Sequence, residues 1–298
     1  MTLRRREVLA GYLFISPWVV GYLVLQLGPM LASALLSLTA YNLVEPPQFV
    51  GARNYVTAFT NDDLFWPSLR RSIYYVALDV PLGICLSLGL ALLLNQRLRG
   101  TNVFRTLFFL PSITPTVAAI FFWLWIMQPD WGLLNWTLSL VGVAGPAWLG
   151  SPDWAIPSLV VIDTWVAVGG TRMVIFLAGL QGIPQELYEA AAIDGAGSWS
   201  RFRHITLPML TPTLFFVTVL TVIFALRVFT SAYIATGGGP AYATWFYTFH
   251  LFKQAFQFFN MGYASALGWI LLVLLLAFTY VQFRLQTRWV HYEGERTS

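Results

Sequence analysis

Charge is what this sequence has least of. Asp, Glu, Lys and Arg make up 10% of it, against roughly 25% in a soluble domain. The only lysine is Lys253, and it follows Phe252. A phosphate-binding loop needs a Gly-Lys-Ser/Thr step in which lysine holds the phosphates, so this chain carries no such loop. Cysteine is nearly absent too. Cys85 stands alone, which rules out an internal disulfide and a Cys-x-x-Cys metal site and reads as a small core residue. The histidines, His204, His250 and His291, lie too far apart for a zinc site. No metal is expected. The arginines are dispersed, so no nucleic-acid partner is expected either. No nucleophile–base pair stands out, and no internal repeat or low-complexity tract appears. An enzyme is not expected.

What is present is apolar side chain. Hydrophobic residues make up 57% of the chain, with 13 Trp and 23 Phe. A soluble core of this size could not hide that much, so lipid is the expected surrounding. A helix needs about 20 apolar residues to cross a bilayer core. Six windows qualify: Leu9–Leu38, Ile73–Leu94, Phe104–Met127, Pro157–Leu180, Leu207–Phe229 and Ala264–Phe283. The fold class is therefore an all-α integral membrane protein with six transmembrane helices. The first window follows three arginines, as a signal peptide would. Its length, with Pro17 and Pro29 inside, reads instead as a retained span.

Positive charge sets the orientation. Arg4, Arg5, Arg6, Arg97, Arg99, Arg105, Arg201, Arg203, Arg284, Arg288 and Arg296 fall on one side. Arg53, Arg70, Arg71 and Lys253 fall on the other, with Arg172 and Arg227 inside spans. Both termini are thus expected in the cytoplasm of a multi-pass protein of the cell membrane. The organisation reads as a cytoplasmic tail 1–8, a first span 9–38, an extracellular connection 39–72, a core 73–283 and a cytoplasmic tail 284–298. Connections 128–156 and 230–263 also face outward. The aromatic segment 244–259 is expected at the outer interface, or dipping in as a short helix.

Between the fourth and fifth windows lies ELYEAAAIDGAGSWSRFRHITLP, 186–208, which is far more polar than its surroundings. Pro184 can open a helix, and Gln185–Ile193 are good helix formers. Leu187, Ala190 and Ala191 share a shallow face that another surface could approach closely. Asp194-Gly195 signals a turn. Ser198 is a candidate cap for a second helix, anchored by Trp199, Phe202 and Ile205. The residues alone allow a rigid docking element or an amphipathic loop on lipid headgroups.

Charges inside spans are costly and point to function. Asp79, Asp163 and Arg227 fall near the outer ends of their windows, with Trp123 and Trp125 closing the third. Such a mixture suits a hydroxyl-rich solute with a flat apolar face. It equally suits a buried ion pair with an interfacial tryptophan belt. Arg172, further inward, reads as structural.

The polar segment also resembles a family. Glu189-Ala190-Ala191, then Gly195, then Ile205, Leu207 and Pro208 reproduce the EAA signature, with every gap intact, of the membrane subunits of binding-protein-dependent ABC importers. FISPW at 14–18, FFLPSITP at 108–115, QPDWGLLN at 128–135 and TGGGPAYAT at 236–244 are similar to the carbohydrate-transport, MalF-like branch. The resemblance implies a type I ABC importer permease fold whose coupling loop, 182–206, carries a coupling helix seated on an ATPase. Glu186, Glu189, Ala190, Ala191 and Asp194 would meet the ATPase or flank the contact, Gly195 would make the turn, and Ile205, Leu207 and Pro208 would lead into the fifth span. It also implies sugar contacts on the fourth and fifth spans. Asp163, Thr164 and Trp165 look like the family's Asn-Thr-Trp, and Thr221 sits where a polar contact is expected. Ala225 and Val228 stand where the maltose-type member has asparagines, which argues against maltose.

The implied partners are a second homologous permease in a heterodimer, two ATPase subunits, an extracytoplasmic binding protein and membrane lipid. No cofactor is expected in this chain, ATP and magnesium being held by the ATPase. The expected function is half of the passage for a sugar, a di- or oligosaccharide. The alternatives are import of a sugar phosphate or polyol, and a self-contained ion-coupled transporter relying on Asp79 and Asp163.

Overall fold

The third apolar run contains Pro111 and Pro115, and Thr114 precedes the second proline. A residue before proline is pushed out of the helical region, and Thr114 adopts φ −69°, ψ 134°. In the computed structural model, which describes residues 3–96 and 100–290, this run is two helices, Thr101–Ile113 and Thr116–Ile126, bent by 97°. The expected straight span Phe104–Met127 is therefore an elbow. Five other helices are long and apolar enough to cross a bilayer: Glu7–Leu36 (span 1), Phe65–Leu94 (span 2), Pro152–Gln181 (span 4), Thr211–Ala235 (span 5) and Met261–Gln286 (span 6). Counting the elbow as span 3 makes six among the described residues. Arg97, Arg99, Arg296 and His291 lie outside the described residues, and Arg5 and Arg6 are described in backbone only.

The chain divides into two compact units. The first holds Met1–Asp63 and Leu251–Leu274. Its chain turns back after span 1 through an antiparallel pairing of Thr39–Ala40 with Gln48–Phe49, followed by the helix Arg53–Thr60. Asn54 Nδ2 holds this turn by donating to the carbonyls of Ser37 and Thr39, at 2.8 and 2.9 Å. Trp269 Nε1 reaches Ser33 Oγ at 3.2 Å, and the Tyr263 hydroxyl donates to Asp62.

The second unit holds Leu64–His250 and Leu275–Ser298. Span 2 lies at its heart. Its buried face includes Ser68, Ser72, Asp79, Gly83, Ser87 and Ala91, small or polar residues four or so apart. In lipid there is no hydrophobic gain from bringing helices together, so close packing of small side chains is what associates them. Gly83 shows this: a Cβ there would lie 2.2 Å from Arg172 Nη1 of span 4. Gly179 shows it again, its Cβ position 2.6 Å from Thr213 Oγ1 of span 5. Two apolar clusters fill the unit. One gathers Tyr75, Ile120, Leu159, Val222, Phe246 and Phe249. The other gathers Leu90, Leu94, Met173, Phe176, Leu180 and Leu210. The aromatic segment forms the helix Tyr247–Phe256, whose Tyr247, Phe249 and His250 are buried.

Spans 2 and 4 begin earlier than hydropathy alone indicated, at Phe65 and Pro152 rather than Ile73 and Pro157. Arg70 and Arg71 lie inside the span 2 helix, and Pro157 is accommodated within the first turns of span 4. A 30-residue helix is about 45 Å long. Asp79 consequently sits midway along span 2, and Asp163 also lies well inside span 4, not near their outer ends.

Candidate functional site

Tyr75 and Asp79 are one helical turn apart on span 2, so they share a face. Span 4 brings Asp163 and Thr164 against that face. Span 5 supplies the third wall because its helix pauses: Leu226 ends one stretch, Arg227 and Phe229 take non-helical angles, and Thr230 starts another. The pause turns the hydroxyl of Ser231 toward span 4. Tyr75 Oη donates to Asp163 Oδ2 at 2.7 Å, and Ser231 Oγ donates to the same oxygen at 2.7 Å. Thr164 Oγ1 donates to Asp79 Oδ1 at 3.3 Å. Buried carboxylates are tolerable only with such partners.

Around this network lie two cavities. One, of about 260 Å³, is lined by Tyr75, Asp79, Asp163, Arg172, Arg227 and Ser231 among others. The second, of about 300 Å³, is lined by Asp79, Ser112, Gly170, Arg172 and Thr221 among others. Asp79, Ala167, Arg172 and Phe224 border both. The structure thus unites Asp79, Asp163, Arg227 and Thr221, four residues that stood out in the sequence. Thr221 is buried and gives its hydroxyl hydrogen to the Val217 carbonyl at 2.7 Å, leaving only its lone pairs to offer. Ala225 and Val228 line the first cavity, where they supply no polar group.

Of the other two members of the Asp-Thr-Trp triplet, Thr164 joins the network through Asp79, whereas Trp165 turns away from it. Thr164 and Trp165 line a larger apolar recess of about 880 Å³ between span 2, the elbow and span 4. Trp165 packs edge-on against Trp123 at 5.8 Å. Cys85 lines the same recess and is exposed, so it is not a core residue. Arg172, read from the sequence as structural, borders both polar cavities. Tyr75 and Ser231 do not stand out in the sequence, because an uncharged hydroxyl among so many aromatic and serine residues carries no signal of its own.

On the opposite flank of span 4, the polar segment begins with Pro184 as cap and the helix Gln185–Ile193. It stops on a Schellman motif. Ala196 N–H bonds to the Ala191 carbonyl at 2.8 Å and Gly195 N–H to the Ala192 carbonyl at 3.1 Å, with Gly195 at φ +77°. Glycine takes that left-handed conformation without a Cβ penalty. The second arm starts from Gly197, the actual cap, as Ser198 makes no capping bond. It runs through Ser198–Arg201 and a wide turn, Phe202–Thr206, into Leu207–Met209. Tyr188 and Thr206 hydroxyls, 2.9 Å apart, tie the arms together, and Tyr188 and Ile205 rest on the second apolar cluster. Trp199 does not anchor the arm; it is 72% exposed and stacks only on Phe202. Glu186, Leu187, Glu189, Ala190, Ile193 and Asp194 are all exposed, Ile193 at 87%. Gln185 Nε2 donates to Glu189 Oε1 at 2.9 Å. Ala191, Leu207 and Pro208 are half-buried.

Residues 83–291 match the family described as the binding-protein-dependent transport system inner membrane component. The chain belongs to this family of ABC importer permeases. It is similar along nearly all its length to a probable ABC transporter permease protein, YesP, of Bacillus subtilis, with 42% identity covering 98% of this chain and 94% of the relative. It is similar to the trehalose/maltose transport system permease protein MalF of Thermococcus litoralis, with 38% identity covering 94% of each. Its fold matches a chain in the crystal structure of a bacterial ABC transporter that imports the acidic polysaccharide alginate, with a TM-score of 0.83 over 95% of this chain and 96% of that one, at 23% identity. The permease is a multi-pass inner-membrane protein of the type I importer fold and a transport subunit, not an enzyme. In this permease the helix Met173–Gln181, the C-terminal part of span 4, leads from the polar cavities to the exposed helix.

Proposed function

We propose that this permease forms half of the passage for a di- or oligosaccharide. An external binding protein delivers the solute, a second homologous permease supplies the other half, and two ATPase subunits drive the cycle from the cytoplasm. Both termini and the 182–206 loop face that compartment. ATP and magnesium act on the ATPase, since no Gly-Lys-Ser/Thr step exists here. The relative named for trehalose and maltose supports the sugar class. Asp79, Asp163, Thr221 and Arg227 supply donors and acceptors for hydroxyl groups, whereas Thr164 acts through Asp79 and Trp165 through packing.

The observation that carries the coupling role is the helix Gln185–Ile193. It is stopped at Gly195, tied at Tyr188, and carries an apolar stripe of Leu187, Ala190 and Ile193 that the rest of the chain leaves uncovered. A cleft on an ATPase covers those three, and the stop and the tie to Thr206 hold the stripe in one orientation for that contact. The test is co-purification of the ATPase with the Glu189→Ala, Gly195→Pro double variant. Loss of ATPase with an intact membrane domain is expected. Full recovery removes the docking assignment.

A further inference from the structure

Arg172 lies at the end of a break in span 4. The helix Pro152–Ala167 gives way to a wide turn, Val168–Arg172, in which Gly170 leaves helical geometry at ψ −139°, before the helix resumes as Met173–Gln181. The elbow fills this break. A Cβ on Gly169 would meet the Phe108 carbonyl oxygen at 1.8 Å, and one on Gly170 would meet Ser112 Cβ at 2.7 Å. Sharp breaks in a helix ladder of this kind are where long helices bend.

Beyond the break, the Arg172 guanidinium rests on Gly83 of span 2, and its Nη1 is buried without a hydrogen-bond partner. Asp79, one turn before Gly83 on span 2, borders the same two cavities. Its Oδ1 is held by Thr164, and no ion pair joins it to Arg172 among the described residues. Two side chains of opposite charge thus stand beside one another without a direct ion pair, Asp79 buried and Arg172 half-buried. That arrangement is costly, and a pairing within reach relieves it.

We infer that Arg172 and Asp79 are the two halves of a latch, open in this conformation, that pairs when the inner half of span 4 pivots about Gly169–Gly170. The lever is at hand. Met173–Gln181 connects through Gly182–Pro184 to the docking helix, so an ATPase that moves Gln185–Ile193 moves Arg172 with it. Gly83 gives the guanidinium a track without side chain. Pairing draws Arg172 across the boundary shared by the two cavities and separates them, so the latch closes the route between them. Packed interfaces of this kind switch between discrete arrangements and do not deform smoothly. The inference rests on the importer reading above.

The test uses the assembled importer in proteoliposomes, with cysteines at Asp79 and Arg172 in a Cys85→Ser background and a short bifunctional thiol cross-linker. Cross-link yield is compared without nucleotide and with ATP and vanadate. A change of about tenfold between states is expected for a two-state element; equal yields overturn the latch. Charge reversal tests the pairing separately. Asp79→Arg and Arg172→Asp each abolish uptake, and the double reversal restores part of it. Failure of the double reversal in complexes that still assemble and hydrolyse ATP contradicts the ion pair. Assembly itself is read by co-purification of the ATPase with the Cys85→Ser parent. A complex that assembles but shows constant yields defeats the latch alone, whereas no assembly defeats the importer reading and the latch with it.

Discussion

Tyr75 of span 2 donates its hydroxyl hydrogen to Asp163 of span 4 at 2.7 Å, and this bond fixes the central acid of the polar cavity. Ser231 donates to the same oxygen from span 5. Three spans are therefore joined at one carboxylate. Hydrogen bonds between membrane helices average about 0.6 kcal/mol, and removing both donors leaves a buried charge bare at roughly 1–3 kcal/mol. Tyr75→Phe and Ser231→Ala should each lower thermal stability slightly in detergent, and the double variant more than their sum. Strict additivity in calorimetric or fluorescence melting contradicts a shared network.

Asp163→Ala should reduce uptake of the transported sugar while leaving ATPase co-purification unchanged. The acid faces the cavity and lies far from the exposed helix along span 4. Unchanged uptake across a panel of neutral and acidic saccharides removes Asp163 from the passage.

At Gly195 the left-handed backbone penalises a side chain. Gly195→Ala should cost about 1–2 kcal/mol in that turn, and Gly195→Asn less, because asparagine tolerates this conformation. ATPase recovery should follow the order Gly, Asn, Ala. If all three recover equally, the turn does not set the presentation of Gln185–Ile193.

Gly169→Ala places a methyl group 1.8 Å from a backbone carbonyl of the elbow. Neither side is a flexible tip, so the elbow must shift, at a typical cost of about 1–3 kcal/mol. Gly89→Ala on span 2 meets nothing within 4 Å and serves as the control. Melting temperature should fall for the first and hold for the second.

The polar segment 186–208 is the most legible part of the sequence, because its boundaries are written in local chemistry. Pro184 cannot continue a helix backward, and Gly195 alone suits the left-handed stop. Helix ends inside the membrane were less legible. In the sequence Arg70 and Arg71 mark a loop, yet span 2 starts before them at Phe65, which puts Asp79 midway along the helix and not near its outer end. The elbow was hidden by hydropathy, which averages over Thr114-Pro115. Its local signal was there, a residue before proline in the middle of an apolar run. The surroundings of Arg172 cannot be read from its own stretch of sequence. Gly83, Asp79 and the Gly169–Gly170 break come from separated stretches of chain, and only packing brings them together.

The most direct measurement is solute uptake by proteoliposomes holding this chain, its partner permease and the ATPases, with ATP enclosed on the ATPase side and the binding protein outside. The account predicts accumulation that stops when ATP hydrolysis is blocked by vanadate. Uphill uptake by this chain alone on a proton or sodium gradient, indifferent to ATP, would contradict it.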